Sequence, residues 1–462
     1  MAFDSLAYFL FLAATVAVYW ALPHRPQNIL LVFASWLFYG WWNWHFLPLL
    51  LAATALDFAL SHCMEASPSP QGRRRILWLS IAINVCFLAV FKYFNFFIDT
   101  VGQTFHLLGH DTSFTFARIV LPIGISFYTF ESIAYMVSVY RCELPAVRSF
   151  VDYALFIAFF PHLIAGPIMQ PAIFIPQCLS PRSFSGKRFV NGLDLIVWGL
   201  LKKMFIADGI GHYVDWLFSL RDPSTLLAIL GGVGFGVQIL ADFSGYTDMA
   251  RGSAKLMGFE LRHNFNAPYS ARSIVEFWRR WHISLSNWIR DYIYIPLGGS
   301  RVSNTRYCFN IVVTWALCGL WHGAAWKFIV WGLYYGAFII FERFRKNSVK
   351  NGLSQWFKTW VLVQFAWLIF RAPSMSEFMS YFSVEAILRS AQDWRVSWAI
   401  LCIFGFFLLP WFIKRLWDRF RGYIVLTGAQ RWETRVMFYS LTVLILALFG
   451  KAYSNAFIYF QF

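Results

Sequence analysis

Apolar residues in this chain come in long runs, and polar residues mostly separate them. Runs at 3–22, 28–44, 46–63, 76–98, 119–140 and 151–169 stand out first. A hydrocarbon core of about 30 Å takes about 20 helical residues, so each is a candidate membrane crossing. Runs at 190–207 and 225–241 are weaker or interrupted. Others follow at 307–321, 326–342, 356–370, 397–413 and 436–449. The pattern predicts an all-α polytopic membrane protein with about 11 to 13 transmembrane or re-entrant helices. A single integral-membrane domain over 1–462 is expected, because no soluble stretch or low-complexity linker interrupts the alternation. The longest polar stretch, 242–306, is itself dense in aromatics.

Within that stretch, 273–292 reads as an amphipathic helix. Ile274, Phe277, Trp278, Trp281, Leu285, Trp288, Ile289 and Tyr292 recur at helical spacing on one face, and Glu276, Arg279, Arg280, Asn287 and Arg290 take the other. A helix so divided is expected to lie in the membrane interface. Glu276 and Arg280 are four apart and are expected to pair. His282 falls at the edge of the apolar face, beside Trp278 and Ile289.

Composition narrows the class. Only 13% of the 462 residues are charged and 59% are hydrophobic, where soluble domains carry roughly 25% charged residues. Mean hydropathy is +0.54. The net charge of +16 would point to nucleic acid in a soluble protein. Here the basic residues fall between apolar runs, as in cytoplasmic loops, and nucleic-acid binding is not expected. Arg73, Arg74 and Arg75, then Arg141 and Arg148, then the basic loop 414–435 read as cytoplasmic, which puts the N-terminus outside. Lys202 and Lys203 inside an apolar run resist simple alternation and predict re-entrant or horizontal helices there. The cysteines are scattered without a Cys-x-x-Cys pair, and the histidines lack metal-binding spacing, so no disulfide framework or metal site is expected. The N-terminus lacks a basic region and cleavage site and reads as a retained helix.

Chemistry enters with a few polar residues at membrane depth. His322 lies in Cys318-Gly319-Leu320-Trp321-His322-Gly323 between two apolar runs. Such an imidazole either bonds a backbone carbonyl or has a task, and a shielded neutral imidazole suits acyl transfer as base or nucleophile. His282, in Phe277-Trp278-Arg279-Arg280-Trp281-His282, is either a headgroup-level surface residue or part of the same site. Asp242 either caps the segment after its run or faces a pore. Glu131 is an intramembrane carboxylate, structural if a cation such as Arg141 or Lys92 pairs with it. The prolines and glycine around His162 (Phe160 to Pro167) predict a broken helix lining a cavity, with His162 structural.

The blocks PIGISFYTFESIAY (122–135), FPHLIAGPI (160–168), DFSGYTDMARG (242–252), EFWRRWHISLSNWIRDYIYIPLGGSR (276–301) and LWHGAAWKFIVWG (320–332) occur in this order. Together they resemble the membrane-bound O-acyltransferases, and within them the bacterial branch that acetylates exopolysaccharides of the alginate type. The terminal FIYFQF (457–462) resembles that branch too. The resemblance implies a funnel of helices around a central tunnel. It implies that His322 is catalytic and that His282 is a second catalytic position near the tunnel. Trp321, Trp281 and Trp278 are expected to line the substrate path, with Asp242, Tyr246, Glu131 and Asn264. Ala325 and Tyr335 stand where many relatives carry Asn and His, so position 335 is given no proton-relay role. The implied reaction takes an acetyl group from acetyl-CoA, with no permanently bound cofactor, across the bacterial inner membrane. A periplasmic acetyltransferase partner completes transfer to a polysaccharide. Lys202, Lys203, Arg279 and Arg280 are candidates to meet the anionic end of CoA, or lipid headgroups. Other acceptors, such as bacterial cellulose or another cell-surface glycan, fit the same pattern. A secondary transporter would show repeated halves, whereas the histidine blocks occur once each. A non-catalytic secretion scaffold would leave His322 without a task.

Overall fold

The computed structural model describes residues 1–109, 118–164, 166–345, 352–420, 428–450, 457 and 458. Residues 421–427 of the basic loop, Ala165 of the FPHLIAGPI block and 459–462 of the terminal motif lie outside the described residues. All regular structure among the described residues is helical. The long helices follow the apolar runs. Leu6–Ala21, His24–Asn43, Leu47–Ala66, Asn304–His322, Trp326–Phe344, Leu353–Arg371, Trp394–Phe420 and Gly428–Phe449 each overlap one predicted span. Serines start several helices, long and short. Ser5, Ser69, Ser149, Ser273 and Ser303 accept a backbone N–H from the first turn, satisfying donors that a helix start leaves open.

By length and composition, five described segments suffice to cross a membrane: His24–Ala66, Pro70–Leu107, Thr225–Leu256, Trp394–Trp417 and Trp432–Phe449. His24–Ala66 contains two predicted spans, separated where Asn43 turns extended and caps a short 3-10 turn. Leu6–Ala21 is a shorter apolar helix, and Phe150–Leu163 is a shorter apolar segment. This is a multi-pass, all-α membrane protein.

The chain forms two compact units. The first comprises Met1–Leu193, Ala250–Asn264 and His282–Trp326; the second comprises Asp194–Met249, Phe265–Trp281 and Lys327–Phe462. In the first unit, Arg73 donates to the carbonyls of Val139 and Tyr140 at 3.0 and 3.2 Å, and Arg148 pairs with Glu65 at 2.8 Å. The basic residues after the predicted third and fifth spans therefore gather at one end of this unit, as a shared membrane side requires. The predicted break at Phe160 is present. Helix Phe150–Ala158 stops, and a separate turn Phe160–Leu163 follows. Gly124, at φ +79°, begins helix Ile125–Tyr140 so close to this turn that a Cβ would stand 2.8 Å from the Leu163 carbonyl oxygen. In the second unit, Gly199 and Gly245 bring two helices together backbone to backbone; a Cβ on Gly199 would meet the Gly245 carbonyl at 2.7 Å.

Two expectations need correction. Asp242 caps nothing, because helix Thr225–Leu256 runs through it without a break. The stretch 273–292 is not one helix. It splits into Ile274–Arg280, Ile283–Ile289 and a π turn Arg290–Tyr294. Tertiary contacts override the local period: Ile274, Phe277, Trp278, Trp281, Leu285, Trp288 and Ile289 are all buried within the protein. The Glu276–Arg280 pair forms as expected, at 2.7 Å.

Candidate active site

His322 is the last residue of helix Asn304–His322, and the chain leaves the helix extended at Gly323. A helix end leaves its final carbonyls without intrahelical donors. Two of them are satisfied from the π turn Ala89–Tyr93. Lys92 Nζ donates to the Trp321 carbonyl, and the Tyr93 hydroxyl donates to that of Leu320 at 3.0 Å. The Lys92 ammonium also stands 5.4 Å from the centre of the Trp321 ring.

His282 begins helix Ile283–Ile289 with φ +42° and ψ +53°. A left-handed backbone at a residue with a Cβ costs about 1–2 kcal/mol, so something must hold it there. Asn264 does. Its carbonyl accepts Ile283 N–H at 3.0 Å, and its side-chain oxygen accepts Ser284 N–H at 3.1 Å. The Ser284 hydroxyl in turn accepts Ile168 N–H at 3.0 Å, tying the helix start to the segment after the broken helix. Strain held in place in this way is a recurring mark of functional positions.

The two histidines meet at one indole. Trp321 lies edge-on to His282 at 5.9 Å between ring centres and edge-on to His322 at 4.9 Å. The indole is fixed by a stack: Phe130 lies 5.6 Å from Trp321, and Trp288 lies 3.6 Å from Phe130 at an interplanar angle of 1°. Trp288 Nε1 donates to the Phe130 carbonyl at 2.8 Å. Lys92 and His282 both contact Trp321, the residue before His322. His282 is fully buried, and that burial pushes its pKa down to about 3, so the ring is neutral near pH 7. His322 is 4% exposed. Two buried imidazoles against a fixed aromatic wall can accept a proton or carry an acyl group.

The other predicted site residues divide between the units. Asn264 holds the His282 turn. Glu131 pairs with His162 at 3.3 Å and accepts Met169 N–H at 2.8 Å, so its partner is neither Arg141 nor Lys92. His162 Nε2 also donates to the Phe156 carbonyl at 3.0 Å, which puts a proton on that nitrogen. The pair ties the broken segment to helix Ile125–Tyr140. Asp242 and Tyr246 belong to the second unit. Asp242 accepts Lys203 at 2.9 Å and Ile458 N–H at 2.8 Å, and Tyr246 packs on Phe457 at 4.5 Å. Trp278 and Trp281 sit in that unit's aromatic cluster. Trp278 is 5.1 Å from Tyr335, and Trp281 is 4.9 Å from Trp367. Lys202 and Lys203 are buried in ion pairs, with Asp248 at 2.5 Å and with Asp208 at 2.8 Å. That engagement is the reason they make poor anion-binding candidates. Arg279 remains exposed.

Lys92 was legible only as a possible ion-pair partner. The signal for a larger part is its place in Phe91-Lys92-Tyr93 within the apolar run 76–98, since an intramembrane lysine marks a site by default.

Residues 75–384 match the model of the membrane-bound O-acyltransferase family (MBOAT). The chain is 41% identical over 402 residues to the probable alginate O-acetylase AlgI of Pseudomonas aeruginosa, covering 86% of this chain and 76% of that one. It is 33% identical over 405 residues to the peptidoglycan O-acetyltransferase of Helicobacter pylori, covering 79% and 76%. It is 29% identical over 258 residues to the teichoic acid D-alanyltransferase of Bacillus subtilis, covering 50% and 62%.

Proposed function

Because the chain belongs to the membrane-bound O-acyltransferase family and is a membrane O-acyltransferase, we propose that it passes acetyl groups from cytoplasmic acetyl-CoA across the bacterial inner membrane. His322 is the reacting residue, and the final acceptor is a secreted polysaccharide of the alginate class. The observation that carries this reading is the meeting of His282 and His322 at the Trp321 ring. The identity to alginate O-acetylases over most of the chain supports the acceptor class.

Two routes are open to His322. As a base it takes the proton of an acceptor hydroxyl while that oxygen attacks the thioester carbonyl; the CoA thiolate leaves and takes up the proton. As a nucleophile it attacks the carbonyl itself, expels the thiolate and passes the acetyl group on from nitrogen. His282 orients the acyl group or the His322 ring. A separate periplasmic acetyltransferase collects the acetyl group and delivers it to sugar hydroxyls, and the N-terminus of this chain lies on that periplasmic side. The membrane lipid is the remaining partner.

The test is His322→Ala in cells lacking the native copy. The expected result is loss of O-acetyl esters from the secreted polymer, at least about a hundredfold, with the variant present in the membrane at wild-type level. Normal ester content would remove His322 from the chemistry. Liposomes holding acetyl-CoA inside and polymer outside, with and without the periplasmic enzyme, test the partner. Full polymer acetylation by this chain alone would refute it.

A further inference from the structure

Lys92 lies well inside the 38-residue apolar segment Pro70–Leu107. An ammonium at that depth is expensive and is retained for a reason. It forms no ion pair among the described residues. Its partners are the Trp321 carbonyl and the face of the Trp321 ring. Tyr93 takes the preceding carbonyl, that of Leu320. Two consecutive carbonyls at the end of one helix are thus held by two consecutive residues of another, immediately before His322. In a regular α-helix, neighbouring side chains point about 100° apart. Lys92 and Tyr93 instead stand in a π turn, a distortion that concentrates at functional sites. A helix C-terminus also attracts a cation through its dipole.

We propose that Lys92 and Tyr93 are positioning residues for His322, a clamp that fixes the last turn of its helix and so the aim of the imidazole at the acyl group. The inference rests on the reading of His322 as the reacting residue. Lys92 acts through the backbone and does not itself react. Loosening the clamp lets the ring drift, and displacements of about 1 Å at a reacting group can cost up to about a hundredfold in rate.

The experiment uses membrane vesicles carrying the full chain, with acetyl-CoA turnover resolved into kcat and KM. Polymer ester content in cells, which assumes no donor, is read in parallel. Lys92→Met is expected to lower kcat about 10- to 100-fold with KM changed less than about threefold, and Lys92→Arg to recover most of the loss. Tyr93→Phe, which removes one oxygen and keeps the packing, is expected to lower kcat a few-fold, about 3- to 10-fold. Its melting temperature in detergent should match wild type. If Lys92→Met does not fold, Tyr93→Phe decides. Wild-type kcat and ester content in the folded variants would overturn the clamp. So would a loss that follows only the amount of folded protein. His322→Ala runs alongside. If it is inactive while the clamp variants are normal, only the clamp fails; if it is active, the reading of His322 fails first.

Discussion

Lys203 and Lys92 are each held within apolar helices, one in each unit, and their surroundings differ. Lys203 stands between two carboxylates, Asp208 at 2.8 Å and Asp242 at 2.9 Å, and Lys202 beside it meets Asp248. Each ammonium here is paired with a carboxylate inside the unit, and the cluster ties the π turn Leu201–Ala207 to helix Thr225–Leu256. Lys92 meets a carbonyl and an indole face. It pairs with no carboxylate among the described residues, and the carbonyl it meets belongs to the residue before His322. A buried lysine between carboxylates holds a fold together. A buried lysine that meets the carbonyl before His322 instead holds the end of that residue's helix. The same residue type in the same kind of apolar run thus serves different ends.

Removing the cation from the closed cluster should give the largest stability loss. Lys203→Met leaves Asp208 and Asp242 facing each other and is expected to destabilise the second unit by about 3–5 kcal/mol. The measure is melting temperature in detergent and yield in the membrane. Adding Asp208→Asn and Asp242→Asn should recover part of it. A single variant as stable as wild type would break the contrast between the two lysines.

His282→Gly separates stability from function. Glycine adopts the left-handed backbone without penalty, so the variant should fold at least as well in that respect, yet transfer should fall about 10- to 100-fold because the imidazole is gone. Ester content and melting temperature, read together, check it. Equal loss of both would make His282 structural. The pH dependence follows from its lowered pKa. The unfolded ring, with a pKa of about 6.5, binds a proton that the folded ring, at about 3, does not. His282 therefore favours unfolding increasingly as pH falls from about 6.5 towards 3, at about 1.4 kcal/mol per pH unit. That slope should be missing in His282→Gly.

Asn264→Ala removes the acceptor for Ser284 N–H and should cost about 1–3 kcal/mol, with a fall in ester content that Asn264→Asp reverses in part. The smallest effect is expected at Arg280→Ala. Its partner Glu276 is itself partly exposed, and exposed pairs four apart contribute about 0.3–0.5 kcal/mol. Arg280 also donates to the Asn266 carbonyl and the Ser270 hydroxyl, both at 3.3 Å, and a large loss would show that these bonds hold the turn.

Much of this was legible in the residues. Hydrophobic run lengths give helices and approximate boundaries because burial in lipid and helical pitch act locally. The prolines around His162 gave the broken helix, and the four-residue spacing of Glu276 and Arg280 gave their pair. The two histidine blocks stood out because polar residues are rare in so oily a chain. The split of 273–292 was not legible. Its apolar residues keep helical spacing on both sides of the break, and the force that breaks it comes from Asn264, outside the stretch.

The sequence by itself determined that this is a helical membrane protein, which family it belongs to, and which two imidazoles stand out in its apolar runs. Only the tertiary structure decided that His282 takes a left-handed turn and that both imidazoles share the Trp321 ring. Tertiary structure alone also paired Glu131 with His162 and gave Lys92 the carbonyl of a residue 229 positions away. Periodicity records which residues avoid water, a one-body property of each position. Which buried polar groups meet is a property of pairs, set by how helices distant in the chain pack and by the requirement that each buried donor find an acceptor.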